Sequence, residues 1–189
     1  MTWQEYLPLA EKTLSTQFNC DDLFHQKILH SVIGSLTEVE EILENYVNGE
    51  LITDVNKQGS IAEETADIFW YISILYRELE ITDHQYNIEK KTPFEILLDF
   101  TKVSLKFLDL LKKKIYYNKD IDNSLMIDLS SKMYCLMVNF CYQYNTDISS
   151  ILDKNIDKLR ARYGDKFSSE KAINRNLEVE KQILENGKS

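Results

Sequence analysis

The stretch "SIAEETADIFWYISILY", residues 60–76, carries the most apolar helix-forming segment of the chain directly after a pair of acids. Between residues 68 and 76 only Ser73 is neither apolar nor aromatic, and a helix that is apolar on every side is normally enclosed by other helices. Glu64 and Asp67 stand one turn apart at the start of this segment. The stretch contains no Lys or Arg. A cation must come from elsewhere, because an unpaired buried carboxylate costs several kcal/mol or takes up a proton.

Composition bounds the class of protein before any motif is considered. The 189 residues suffice for one domain with a sizeable core, and 5 Gly and 2 Pro are few, which favours long helices with short connections. A net charge of −9 argues against nucleic acid as the main partner, since phosphate-backbone binding needs a basic face. No leader opens the chain and no run approaches bilayer-spanning length. Cys20, Cys135 and Cys141 show no disulfide-framework spacing, so we expect reduced thiols in a cytoplasmic protein without a membrane partner.

Apolar positions that recur three and four residues apart predict an all-α helical bundle built on antiparallel helix hairpins. The predicted helices lie at about 3–15, 24–48, 61–80, 94–117, 122–145, 148–162 and 169–186. We expect a single domain over residues 1–189, with an active hairpin at about 24–80, a second hairpin at about 94–145 and C-terminal helices at about 148–186. The second hairpin repeats the pattern of the first, an amphipathic helix followed by a more apolar one. This pattern predicts a degenerate tandem repeat.

The helix before the apolar segment contributes a second acidic pair. Glu38 and Glu41 lie one turn apart, opposite an apolar stripe that would face the core. Taken alone, such acids are typical of a solvated face. Across a short hairpin they can converge with Glu64 and Asp67, and four carboxylates at one place describe a site for a hard cation. Mg²⁺ fits best, because it prefers oxygen ligands and retains waters that substrate oxygens can replace.

Two acidic pairs in this order, with a glycine before them and Trp-Tyr after them, resemble the all-α nucleoside triphosphate pyrophosphohydrolases of the MazG type. The pattern is carried by His30, Gly34, Glu38, Glu41, Glu64, Asp67, Trp70 and Tyr71, with 22 residues between the two pairs. The segment "NIDKLRARYGDKF", residues 155–167, is similar to the C-terminal block of that family.

This resemblance implies a set of site residues. The metal ligands for Mg²⁺, with Mn²⁺ as a substitute, would be Glu38, Glu41, Glu64 and Asp67. The substrate phosphates would be approached by Asn155, Lys158 and Arg162, with Tyr163 beside them. Glu41, with Glu38, is the candidate catalytic carboxylate. His30 and Trp70 are candidate base contacts, as are Tyr71 and Trp3, although aromatic residues at helical spacing are more often core.

The implied activity is hydrolysis of a nucleoside or deoxynucleoside triphosphate to the monophosphate and pyrophosphate, removing unwanted nucleotides. A dUTPase or dCTPase of the same superfamily and a non-catalytic nucleotide-binding helical module remain alternatives. A homodimer is the expected assembly, because relatives of this type build their sites from more than one unit.

The second hairpin departs from the acidic pattern. Lys106 and Asp109 stand roughly where the first hairpin has Glu38 and Glu41. In its second helix, Asp128 followed by Ser131 or Lys132 stands where the other acidic pair would be. We therefore predict that this hairpin holds no metal and that each chain has one active half.

Overall fold

The structure is a computed structural model that describes residues 1–51, 55–83 and 85–163, with the backbone alone for residues 55–60. Its helices are α1 (Trp3–Glu11), α2 (Leu23–Leu43), α3 (Val55–Glu78), α4 (Pro93–Tyr117), α5 (Asn123–Gln143) and α6 (Ile148–Tyr163). Two short strands, β1 (Tyr46–Val47) and β2 (Glu50–Leu51), lie between α2 and α3. The predicted all-α helical bundle is confirmed.

Side chains at the helix starts explain why the helices begin where they do. Asp22 accepts a hydrogen bond from a backbone N–H in the first turn of α2, and Asp122 and Asp147 do the same for α5 and α6. Thr92 and Glu95 form a reciprocal capping box at the start of α4. Each such cap satisfies a backbone donor that the helix itself leaves unpaired. These caps lie where the sequence predicted helix starts.

The connection between α2 and α3 is a tight antiparallel hairpin. Its turn is Asn48–Gly49, and both residues have positive φ, at 53° and 81°. A two-residue turn of this kind favours Asn-Gly, because both positions must adopt a left-handed backbone. β1 and β2 pair in register on either side of this turn, Tyr46 with Leu51. The hairpin brings the end of α2 close to the start of α3.

Three predicted helix boundaries differ from the structure. The first helix was predicted to residue 15 and ends at Glu11, and the second was predicted to residue 48 and ends at Leu43, because the hairpin takes over there. The third begins at Val55, six residues before its predicted start at residue 61. The predicted last helix, at about 169–186, lies outside the described residues.

Helices α2 and α3 pack most extensively and run antiparallel. Residues further along α2 contact residues earlier in α3. The pairs are Lys27 with Glu78, Gly34 with Tyr71, and Glu38 with Glu64. Helix α4 packs on α5 and α2, while α3 also packs on α5 and α6. No residue of α1 is buried. Within the described ranges, no helix has both the length and the apolar character needed to cross a membrane.

The burial pattern of α3 recurs in α5 at a constant spacing. The buried pairs are Ile61 and Met126, Thr65 and Ser130, Ile68 and Met133, Ile72 and Met137, and Leu75 and Phe140. The hydroxyls of Thr65 and Ser130 both donate to the carbonyl four residues earlier, and the rings of Phe69 and Tyr134, at the same spacing, pack edge to face at 6.0 Å. This register supports the predicted repeat. By this register the counterpart of Glu64 is Leu129 and not the expected Asp128. The counterpart of Asp67 is Lys132.

Candidate metal centre

Three carboxylates converge at the end of the α2–α3 hairpin that lies nearest the β-turn. Glu38 and Glu41 come from α2 and Glu64 from α3, and one carboxylate oxygen of each lies within 4.8 Å of the others. Glu64 is only 9 % exposed, whereas Glu41 is open to solvent. Among the described residues this is the one group of His, Cys, Asp or Glu with the spacing of a metal site.

Burial and mutual repulsion hold protons on this cluster. Burial raises the pKa of Glu38 to about 7, helped by the charges of Asp67 and Glu41 and despite a hydrogen bond from Glu64. Burial also raises the pKa of Glu64 to about 8, with further contributions from Glu63 and the other acids. Both groups have an ordinary pKa of 4.5. A divalent cation at this place would displace these protons, because it stabilises the charged carboxylates that burial disfavours.

Asp67, the fourth predicted ligand, lies beside the three carboxylates but is engaged by α6. Asn155 donates its side-chain N–H to Asp67 Oδ1 at 2.5 Å, and the Lys158 ammonium donates to Asp67 Oδ2 at 2.6 Å. Lys158 also reaches Glu63 Oε1 at 3.1 Å and is only 1 % exposed. The cation that the apolar stretch of α3 lacks is thus supplied from α6.

The charge of Lys158 is preserved despite its burial. Burial alone lowers the pKa of a lysine, but the nearby Asp67 and Glu63 outweigh it and raise the pKa of Lys158 above its usual value. Lys158 and Asn155, which were predicted to approach substrate phosphates, both contact Asp67. Glu63 was not among the predicted site residues. Its position directly before Glu64 could have marked it as a site residue. No local sequence pattern predicts its contact with Lys158 of α6.

Three aromatic rings of α2 and α3 pack together, and one of them, Tyr71, is within electrostatic range of the acids. The rings of Trp70 and Tyr71 lie 4.9 Å apart, and the His30 ring lies 6.4 Å from Trp70 and 5.6 Å from Tyr71. Burial raises the pKa of Tyr71 to about 12, and the charges of Glu38 and Asp67 raise it further. The structure therefore brings the predicted base contacts His30, Trp70 and Tyr71 together. Trp3 instead stacks on Tyr6 in α1 and is 65 % exposed.

A mostly apolar cavity of about 320 Å³ opens beside His30. It is lined by Phe18, Cys20, Gln26, Leu29, His30 and Ile33. His30 thus belongs both to the lining of this cavity and to the aromatic group with Trp70 and Tyr71. The walls of the cavity are mostly apolar, as is common in small-molecule sites.

The C-terminal end of α6 lies near the same aromatic group. The Arg162 guanidinium stands 5.7 Å from the centre of the Tyr163 ring, and Tyr163 acts electrostatically on Tyr71. Both Arg162 and Tyr163 are partly exposed. Of the predicted phosphate contacts, these two are at the surface of the site, while Asn155 and Lys158 lie below it.

The second hairpin has no equivalent of this centre among the described residues. Asp109 pairs with Lys112 and Lys113, both at 2.6 Å, and Lys106 is exposed. Leu129, the counterpart of Glu64, is 1 % exposed and belongs to the core.

No family model, no curated protein and no solved structure matches the chain.

Substituting Gly34 with alanine is expected to lower the melting temperature. A Cβ at Gly34 would lie 2.1 Å from Cζ of Tyr71, so the ring would have to move away from α2. Such overpacking costs about 1–3 kcal/mol, which exceeds the gain of about 1 kcal/mol from replacing a helical glycine with alanine. Thermal unfolding of Gly34→Ala beside Glu40→Ala, at an exposed position of the same helix, measures the difference. A melting temperature above that of the parent would contradict the close packing of Tyr71.

Proposed function

We propose that the chain is a Mg²⁺-dependent nucleoside triphosphate pyrophosphohydrolase, similar in its site to the MazG type, which converts a nucleoside or deoxynucleoside triphosphate and water to the monophosphate and pyrophosphate. The observation that carries this proposal is the convergence of Glu38, Glu41 and Glu64 from two helices within 4.8 Å of one another. A helix bundle gains no stability from burying such a group, because each added carboxylate raises the cost of the others.

The donor set fits a hard divalent cation. All three groups offer oxygen, and Mg²⁺ in phosphoryl-transfer sites uses a small number of carboxylates together with substrate oxygens. Without a cation, two of the three carboxylates hold protons near neutral pH. This supports a metal site, because a bound cation would balance the negative charges of the deprotonated carboxylates. A bound divalent ion supplies Lewis acidity: it neutralises phosphate charge and makes water a stronger nucleophile near neutral pH.

The residues of the chain then have distinct tasks. Water attacks the α-phosphorus, the bond from that phosphorus to the α–β bridging oxygen breaks, and pyrophosphate leaves. Glu41 is the carboxylate most open to solvent, so we assign it the proton of the attacking water. Glu38 and Glu64 are more buried and would hold the cation together with Glu41. No covalent intermediate with the protein is needed, because positioning and charge suffice for this chemistry.

The nucleoside and the outer phosphates have candidate contacts next to the acids. His30, Trp70 and Tyr71 offer aromatic faces for a base, and His30 also lines an apolar cavity. Arg162, at the exposed end of α6, can hold phosphate oxygens with its forked guanidinium. These contacts support a nucleotide over a free inorganic polyphosphate as substrate.

A pyrophosphate-release assay tests the proposal. The full chain is incubated with standard and modified triphosphates, including dUTP and dCTP, with and without Mg²⁺ and with Mn²⁺ in its place. The parent should release pyrophosphate only with metal. Glu41→Gln should lose at least about 100-fold of the rate, because a carboxylate that acts as a base contributes about 10²–10⁴-fold. The matched control is Glu40→Gln, the exposed neighbour, which should keep the parent rate.

Other outcomes would separate the alternatives. Turnover confined to dUTP or dCTP would indicate a dedicated enzyme of the same superfamily. Metal binding without turnover of any triphosphate would favour the nucleotide-binding module. Equal rates in the parent and Glu41→Gln would show that the carboxylate cluster is not catalytic.

A further inference from the structure

Helix α1 presents an apolar face to solvent. Trp3, Tyr6, Leu7 and Ala10 recur three and four residues apart, which places them on one face of the helix. No residue of α1, all of which the structure describes, is buried. Of the twenty large apolar side chains that are exposed in the described part of the chain, nine lie within residues 1–33. Apolar surface concentrated in this way marks an interaction site.

The helix is too short to be stable without a surface that covers it. It has nine residues, and helices shorter than about 12–15 residues are marginal in water on their own. Pro8, inside the helix, lacks the N–H that an interior position would donate to a carbonyl. The capping box of Thr2 and Glu5 supports only the first turn. We therefore expect an apolar surface to hold α1.

The connection after α1 holds the helix apart from the cavity of its own chain. A hydrogen-bonded turn at residues 10–14 continues the helix. The Ser15 hydroxyl then donates to the Tyr116 carbonyl at 2.9 Å, which fixes the chain at the end of α4. Only two residues separate Ser15 from Phe18, which lines the cavity beside His30. None of the α1 side chains, all of which are described, lines this cavity.

The cavity beside His30 can accept such a helix face. Its volume is about 320 Å³, and its apolar walls include Phe18, Leu29 and Ile33. Phe18 and Ile33 are also exposed to solvent, so the apolar wall continues onto the surface around the opening. An apolar helix face that covers this opening would remove both surfaces from water, which is favourable in proportion to the area buried.

Charges beside the cavity favour an acidic helix as its occupant. The ring of Phe18 packs edge to face on Tyr116 of α4 at 6.0 Å. Residues 102–119, which include Tyr116, hold six lysines and one acid. Helix α1 contains Glu5 and Glu11 but no Lys or Arg, so its charge is complementary to this part of α4. Amphipathic helices that bind anionic membranes instead have Lys or Arg on their polar face.

We propose that α1 binds the cavity beside His30 of a second copy of this chain, so that two chains exchange their first helices and form a symmetric dimer. Such an exchange closes the assembly, because each copy gives one helix and accepts one. The aromatic rings of α1 then complete the wall of the partner's cavity, next to the aromatic group of His30, Trp70 and Tyr71. This inference does not rest on the proposed function.

The area of the exchanged contact suits a stable dimer. The exposed parts of Trp3, Tyr6 and Leu7 amount to roughly 350 Å² for one chain. Two such faces and the two surfaces that cover them would bury roughly 1,400 Å² in total, whereas stable interfaces bury about 1,200–2,000 Å².

Sedimentation equilibrium of the full chain tests the inference, and the parent should be a dimer. Leu7→Glu should weaken dimerisation at least about 30-fold, because it places a charge at the centre of the interface. Leu9→Glu is the matched control, because Leu7 and Leu9 are both 48 % exposed and Leu9 lies on the opposite face of α1. It should keep the parent affinity. Ile33→Glu, in the cavity wall, should dissociate as Leu7→Glu does.

These substitutions are at exposed positions, so circular dichroism should show the parent helix content in every variant. A monomeric parent would overturn the inference. Parent-like dimerisation of Leu7→Glu or Ile33→Glu, or dissociation of Leu9→Glu, would overturn it as well.

Mixing Leu7→Glu with Ile33→Glu distinguishes helix exchange from other dimers. In the mixture, α1 of the Ile33→Glu chain and the cavity of the Leu7→Glu chain are both unaltered. A heterodimer should therefore form that neither variant forms alone, and its absence would contradict exchange. The parent should also stay unbound when vesicles of phosphatidylserine are floated through a density gradient. Binding to these vesicles that Leu7→Glu abolishes would overturn the inference in favour of a membrane surface.

Discussion

Replacing Glu64 with leucine is expected to stabilise the metal-free chain and at the same time to abolish binding of Mg²⁺. Glu64 is 9 % exposed, and burial raises its pKa to about 8, so its charged form is destabilised in the fold. At the equivalent position of α5 the chain has Leu129, which packs in the core at 1 % exposure. Replacing buried charged groups with apolar ones of similar volume has stabilised other proteins by about 1–4 kcal/mol.

Calorimetry and metal titration together measure both effects. For a chain of this size, each kcal/mol raises the melting temperature by about 2–4 °C, so Glu64→Leu should melt clearly above the parent at pH about 8. Glu41→Leu is the matched control, because Glu41 is exposed and its loss should weaken metal binding without the gain in stability. A lower melting temperature for Glu64→Leu, or unchanged Mg²⁺ affinity, would show that Glu64 has a structural role instead of a ligand role.

The metal-free chain is expected to lose stability as the pH rises through the neutral range. In the fold Glu38 and Glu64 hold protons up to pH about 7 and about 8, whereas in the unfolded chain they release them near 4.5. The folded state therefore binds more protons than the unfolded state between these values, and stability falls as pH increases across that window. Carboxylates with a lowered pKa, such as Asp109 at about 2, titrate below it.

Mg²⁺ should reverse this dependence, because it binds the deprotonated carboxylates. Its stabilising effect on the melting temperature should grow from pH about 6 to about 8.5, and binding should release protons over the same range. Isothermal titration in two buffers of different ionisation enthalpy measures the proton release directly. Glu64→Gln should flatten the pH dependence of the metal-free melting temperature. A Mg²⁺ effect that is constant from pH about 6 to about 8.5 would contradict proton retention by the cluster.

Sequence periodicity was sufficient for the long helices, because five amphipathic or apolar segments, four of them with clear caps, leave few alternatives. It failed at the end of α2, where residues 44–48 continue an apolar pattern but Asn48 and Gly49 form a hairpin turn. Asn-Gly was a readable signal for that turn. The start of α3 was missed because residues 56–60 are polar or glycine, and apolar periodicity gives no signal over such a stretch.

The acidic centre was only partly predictable. The helical spacing of Glu38, Glu41 and Glu64 indicates that they can converge, and in the structure they do. The separation of Asp67 from this group could not be predicted, because it depends on Lys158 and Asn155. These residues are distant in sequence and are brought to α3 only by the tertiary packing of α6. Local sequence patterns predict which side chains share a helix face. They do not predict which of these side chains will form an ion pair with a helix that is distant in sequence.

The placement of the two tryptophans provides an optical reporter of the site. The chain has 2 Trp, and Trp3 lies on α1, a helix that contributes nothing to the core. Trp3→Phe should therefore leave the bundle intact and yield a protein whose indole emission comes from Trp70 alone. Because Trp70 packs against His30 and Tyr71, the intensity and wavelength of that emission will register occupancy of the neighbouring cleft without a dye or a labelled nucleotide.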